Sequence, residues 1–110
     1  MFESAEVLQI FVAADERHGD RPLHEALVDA CREHDLAGVT VFRNAEGFDD
    51  SSTITHEHWF RHEEPVAVMI VDRPECLDQF LNAVEPWITH GMLIRSSARV
   101  RRIQPTSGGH

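Results

Sequence analysis

Two short apolar segments flank a polar stretch that is too long to be a simple connector. Leu36-Ala-Gly-Val-Thr-Val-Phe42 and Pro65-Val-Ala-Val-Met-Ile-Val-Asp72 both read as strands, rich in β-branched residues and bounded by turn formers. Roughly twenty residues lie between them. Structureless connections beyond about 12–15 residues are usually functional or disordered, so residues 44–64 read as an extended functional loop. Whatever fold the chain adopts must tolerate that excursion between two buried strands.

The remaining elements follow from periodicity. Val7-Leu-Gln-Ile-Phe-Val12 is a third strand, and Asp15 to Asp20 breaks it with turn formers. Pro22 opens a helix whose apolar stripe is Leu23, Ala26, Leu27, Ala30 and Cys31, and which stops near His34 and Asp35. Asp35 tolerates the left-handed conformation that such a stop requires. Asp72 is expected to N-cap a second helix, with Glu75 three residues on, and Leu77, Phe80, Leu81 and Val84 repeat the stripe. Pro86 ends or kinks it. His90-Gly91 turns into a last strand expected over Met92 to Ile103, and residues 104–110 read as a disordered tail.

The order β-α-β-loop-β-α-β is the split arrangement of ferredoxin-like folds: an α+β domain over residues 1–103 with a four-stranded antiparallel sheet. Each helix has one apolar stripe, so both cover one sheet face. The first and third strands nevertheless carry consecutive apolar residues, as expected when both faces are covered. A homo-oligomer that buries the second face resolves the conflict.

Composition excludes some functions. A formal charge of −9 argues against nucleic-acid binding, which needs a basic footprint. No apolar run approaches the length of a membrane span, and the start lacks the basic region of a signal peptide, so a cytoplasmic location is expected. Cys31 and Cys76 form no C-x-x-C pair and read as small buried hydrophobes. The chain has no lysine, so every fixed cationic contact falls to arginine, the residue suited to bidentate recognition of carboxylate or phosphate.

Leu8-Gln-Ile-Phe-Val12, Pro22-Leu-His-Glu-Ala26, Leu36-Ala-Gly-Val-Thr-Val41 with Gly47-Phe48, and Pro65 with Ile70-Val-Asp72 together resemble the family catalogued as domain of unknown function 190, over about residues 6–103. That family is similar to the PII signal-transduction proteins and the divalent-cation tolerance proteins. The resemblance implies a ferredoxin-like trimer with ligand clefts between subunits. It further implies an adenine nucleotide as ligand, and a transporter or enzyme as the loop's partner. Asp35, Asn44 and Asp49 stand where the family usually has glycine. The chain has no tyrosine, so nucleotidylation of a loop tyrosine, known in some PII proteins, cannot occur.

Within that frame Arg43, at the end of the second strand, is the foremost anion contact, with Gly38, Thr40, Asn44 and Gly47 supplying donors around it. Strand alternation places Arg95, Arg99 and Arg101 on one face, read here as the face away from the helices, where they would ring an anion at a subunit boundary or pair with acids of a neighbour. Ligand binding would then order the loop and signal to the partner. An alternative role is divalent-metal binding of the cation-tolerance type through His56, His58 and His62. A small ferredoxin-like enzyme is a second alternative, but the chain shows no nucleophile-base pair in a recognisable context and no phosphate-cradling glycine loop, so a non-enzymatic role is favoured.

Overall fold

The computed structural model describes residues 3–43 and 64–104. Its elements in chain order are β1 (Glu3–Ala13), β2 (Arg17–His18), β3 (Arg21–Pro22), α1 (Leu23–Glu33), β4 (Gly38–Arg43), β5 (Pro65–Asp72), α2 (Pro74–Val84), a 3-10 turn (Glu85–Trp87) and β6 (Met92–Val100). Four strands form one sheet in the order β4-β5-β1-β6, every pair antiparallel. This is the ferredoxin-like arrangement expected from the element order.

The register determines what each face carries. Leu8 pairs with Ile70 and Ile10 with Val68, and these residues point at the helices with Val12 and Val66. Against them pack the stripe of α1 (Leu23, Leu27, Ala30 and Cys31) and the stripe of α2 (Leu77, Phe80, Leu81 and Val84). Most of these side chains are fully enclosed. Burial of each large one contributes about 1.5–3 kcal/mol, which makes the layer the main source of stability.

The opposite face carries Val7, Phe11, Phe42, Met69, Met92 and Ile94, and no helix covers it among the described residues. Ile94 is 36% exposed. Ala67, flanked in register by Phe11 and Phe42, is wholly enclosed on this side. No helix among the described residues is long and apolar enough to cross a membrane.

Local chemistry explains the joints. Asp35 has φ +56, and the bonds Asp35 N–H to the Arg32 carbonyl and Leu36 N–H to the Cys31 carbonyl close α1 with a Schellman motif. Gly91 has φ +150, and a Cβ there would lie 2.4 Å from the Phe11 carbonyl oxygen, so the entry to β6 requires glycine.

Three expectations need correction. The residues read as a bare turn form the hairpin β2–β3, with Gly19 at φ +66 in the first central position of a two-residue loop, where its conformational freedom is needed. The last strand ends at Val100 rather than Ile103, and residues 101–104 are not strand. Asp72 does not cap α2: Arg73 occupies the N-cap position without a side-chain cap and Pro74 starts the helix. The Asp72 carboxylate instead accepts 2.7 Å bonds from the amides of both Ala37 and Arg73, fastening the end of β5 to the approach to β4.

Burial works to raise the Asp72 carboxyl, but the Ala37 and Arg73 amides outweigh it and hold its pKa below the usual value. Its stabilising contribution is therefore present above pH 3.8, the ordinary value, and disappears as pH falls through the lower folded value. Asp72→Ala is expected to lose about 1–3 kcal/mol at neutral pH in urea titrations, with the deficit shrinking in acid.

Candidate functional site

The chain leaves the sheet at Arg43 and re-enters at Pro65, so the root of the long segment is built from the last residue of β4, the approach to β5 at Glu64 and whatever packs beside them. The Ala14 amide bonds the Glu64 carbonyl at 2.9 Å, fixing the return point against the end of β1. Arg43 pairs with Val66 in register and shares the helix-side parity of Val39 and Val41. Its side chain is 59% exposed and reaches back toward the first turn of α1.

There it meets His24. The Arg43 Nη1 atom lies 3.4 Å from His24 Nε2, and Arg43 Nε lies 4.0 Å from a Glu64 carboxylate oxygen. His24 is 8% exposed. Desolvation, then the neighbouring Arg43 charge, lowers its pKa, against smaller opposing effects of Glu25 and Glu64. The imidazole is therefore neutral at pH 7. A guanidinium can only donate, so Nε2 accepts and the proton sits on Nδ1. Among the described residues Nδ1 has no partner.

A second set of contacts fastens the neighbouring turn to the same end of the molecule. One Glu16 carboxylate oxygen accepts from the Thr89 amide (3.2 Å), the Thr89 hydroxyl (3.1 Å) and the His90 amide (3.4 Å). The Glu16 carbonyl accepts from the Leu23 amide at 2.7 Å, joining this clamp to the start of α1. His18 stacks on Trp87 at 4.1 Å between ring centroids.

The residues singled out from the sequence are scattered by this fold. Gly38 and Thr40 lie on β4 but on the opposite sheet face from Arg43. The arginine face is the reverse of the expected one. Leu8 pairs with Arg95 and Ser4 with Arg99, so both arginines lie on the helix side, while Ala98 and Val100 face the uncovered side. Arg95 is engaged there by Glu6, by Asp78 at 2.7 Å and by the Pro74 carbonyl at 3.4 Å. Arg101 lies beyond the end of β6.

β4 and β6 are the two edges of the sheet. Three strand spacings separate them, about 14 Å across the sheet, and Arg43 is level with Val12 whereas Arg95 pairs with Leu8 and Arg99 with Ser4, so one chain does not bring Arg43 together with Arg95 or Arg99. Asn44, Gly47, His56, His58 and His62 lie outside the described residues. Among the described residues no group of three His, Cys, Asp or Glu could hold a metal ion.

Two shallow clefts lie at the far end of the sheet. One, of about 240 Å³, is bordered by Glu3, Ala37, Asp72, Arg73 and Arg102. The other, of about 370 Å³, is bordered by Ser4, Glu6, Pro74, Ser97 and Arg99. Of the two cysteines, Cys31 is buried as expected and its thiol is pushed up to about 12 by that burial. Cys76 is only half-buried, with Arg73 Nη2 3.3 Å from its Sγ.

The sequence assigns no site role to His24 or Glu16, and offers Glu64 only as a carboxylate beside the loop histidines. His24 follows Leu23 but is not a position of the apolar stripe, so its burial comes from tertiary packing rather than from the helical pattern.

Comparison with known proteins agrees with this architecture. The family model DUF190, described as an uncharacterized ACR, matches residues 5–100. A UPF0166 protein from Aquifex aeolicus (strain VF5) is 32% identical over 81 residues, covering 72% of this chain and 77% of the relative. Among solved structures, CPII from Thiomonas intermedia K12 bound to ADP and bicarbonate gives a TM-score of 0.65 at 16% identity over 93% of each chain. The apo form of CPII, a nitrogen regulatory PII-like protein, gives 0.67 at 13% identity over 94% of this chain and 98% of that one. A protein from Thermus thermophilus described as PII-like and signaling gives 0.55 at 14% identity over 90% and 89%. The shared fold is the PII-like form of the ferredoxin-like architecture.

His24 gives the site a measurable signature. Its pKa is depressed on folding, so the unfolded chain takes up the proton first and stability falls as pH drops below the ordinary value of 6.5. Urea midpoints should therefore fall further between about pH 7.5 and about pH 5.5 for the native chain than for His24→Gln. Equal losses in the two proteins would show that His24 is not held neutral.

Proposed function

This chain belongs to the DUF190 family, and from that membership we propose that it is a PII-like regulatory protein. In this reading it senses a small anionic metabolite, foremost an adenine nucleotide, in a cleft between copies of itself. It acts on a transporter or enzyme partner through segment 44–64, and it is not an enzyme.

The observation that carries the reading is the division of its cations between the two edges of one sheet. Arg43 stands on β4 at the root of the long segment, and Arg99 stands on β6 beside a cleft. Within a chain they lie at opposite edges, about 14 Å apart across the sheet, and at opposite ends of it, Arg43 level with Val12 and Arg99 with Ser4, roughly 26 Å further along the strands. Copies that pack their uncovered sheet faces together, as a trimer does, bring the edge of one next to the edge of another. Guanidinium groups of two chains then share one ligand, which suits the charge and bidentate geometry of phosphate or carboxylate. The chain's overall negative charge makes such local arginine pairs the places where an anion gains most.

The comparison proteins support the ligand class. CPII structures contain ADP, AMP and bicarbonate, on a fold that this chain shares. A site between subunits also provides a route for signalling, because ligand that binds one arrangement of the subunits and the adjacent segment better than another shifts the population toward it.

A thermal-shift panel of ATP, ADP, AMP and bicarbonate at millimolar concentration tests the reading. At least one nucleotide should raise the melting temperature, since ligand at about one hundred times its Kd contributes about 2.7 kcal/mol. Arg43→Ala and Arg99→Ala should each reduce the rise. No stabilisation by any nucleotide would contradict the proposal.

A further inference from the structure

We propose that His24, the first turn of α1 and Arg43 form a subsite for a small oxyanion at the root of segment 44–64. The inference shares Arg43 with the anion-sensing reading and rests on it to that extent, but its evidence is separate: a buried histidine with neither nitrogen well satisfied.

Hydrogen bonds from nitrogen to an acceptor normally span about 2.7–3.2 Å. The Arg43 contact to Nε2 is 3.4 Å, and Nδ1 has no partner among the described residues although the side chain is more than nine-tenths buried. Buried polar atoms in native proteins are almost always paired, so an enclosed donor with no acceptor among the described residues is where we place a ligand group. The neutral tautomer presents that group as Nδ1–H, a donor, so what fits is an acceptor.

The surroundings favour an anionic acceptor. α1 is an 11-residue helix whose N-cap is Pro22, and no side chain caps it. The Leu23 amide is taken by the Glu16 carbonyl, but no side chain caps the amides that follow it, and these and the positive end of the dipole can receive an anion. Nδ1 is bonded to Cγ and is therefore the ring nitrogen closer to the backbone of that first turn. Arg43 supplies the full positive charge. Its Glu64 partner is 4.0 Å away, too far for a hydrogen bond, so an incoming oxyanion competes with a loosely held carboxylate.

The charges facing His24 are Arg43 from β4, Glu25 on α1 and Glu64 before β5. Adding an anion beside Arg43 offsets the cation that disfavours a charged imidazole. Binding is then coupled to proton uptake by His24, and affinity increases as pH falls. A phosphate group of a nucleotide and a free carboxylate or bicarbonate share the required chemistry.

Long-range proton–nitrogen NMR of the full chain labelled at histidine tests this, with His24→Gln assigning the signal. Inorganic phosphate, bicarbonate and ADP are titrated separately at constant ionic strength, with chloride as the control. The free protein should show His24 protonated at Nδ1, and at least one oxyanion should shift that nitrogen and raise its titration midpoint. Arg43→Gln and His24→Gln should each weaken binding of that oxyanion by about tenfold, the loss of one charge-assisted hydrogen bond. Arg32→Gln, whose guanidinium pairs with Asp29 on the surface of α1, should leave it unchanged.

A His24 signal that ignores all three oxyanions, or that responds equally to chloride, overturns the subsite. Nucleotide stabilisation with His24 unmoved overturns it too while leaving nucleotide sensing in place. Movement of His24 by phosphate or bicarbonate without nucleotide stabilisation upholds the subsite and removes the nucleotide reading.

Discussion

The sheet has two apolar faces and the helices cover one of them. β1 and β4 run parallel, as do β5 and β6, and each pair is joined through a helix. Such crossovers are right-handed in nearly all proteins, so both helices land on the same side. The other side keeps Phe11, Phe42, Met69 and Ile94 with no helix over them among the described residues. Nothing about the core stripes of α1 and α2 can relieve this, because each helix has only one apolar face to offer. The two helices leave the second face to something else, and copies of the same chain are the proposed solution.

The same topology sets where chemistry can occur. Ordering the strands β4-β5-β1-β6 sends β4 and β6 to opposite edges, and each edge carries arginines. In the proposed reading one chain thus contributes two half-sites at opposite edges. At the β4 edge the register turns Arg43 toward α1, where His24 lies under it, while Glu16 clamps the Thr89 turn to the same end of the molecule. The described residues at the root of segment 44–64 thus bring together side chains from α1, β4 and the approach to β5.

Much of the architecture was legible because it rests on periodicity. Leu23, Ala26, Leu27, Ala30 and Cys31 had to share a helix face, and Asp35 was readable as a left-handed stop because aspartate tolerates that conformation. The arginines of β6 show the limit of the same logic. Alternation groups Arg95 with Arg99 but does not say which side of the sheet they take; that is decided by pairing with Leu8 and Ser4, a long-range register invisible in the local pattern. Asp72 was mistaken for a helix cap because a capping aspartate and one that bonds a distant amide look alike in sequence, and its partner Ala37 is thirty-five residues away. The roles of His24 and Glu16 likewise depend on partners brought from β4 and from the turn before β6.

The most direct test of the account is the mass of the particle in solution, measured by sedimentation equilibrium. The chain weighs 12.5 kDa. Three copies packed through the uncovered face give three times that mass, and Ile94→Arg, which places a charge in the middle of the face, should shift the population toward the single chain. A native particle that sediments at 12.5 kDa at high protein concentration would leave the second face open to water and the two arginine edges apart, and the account would fail.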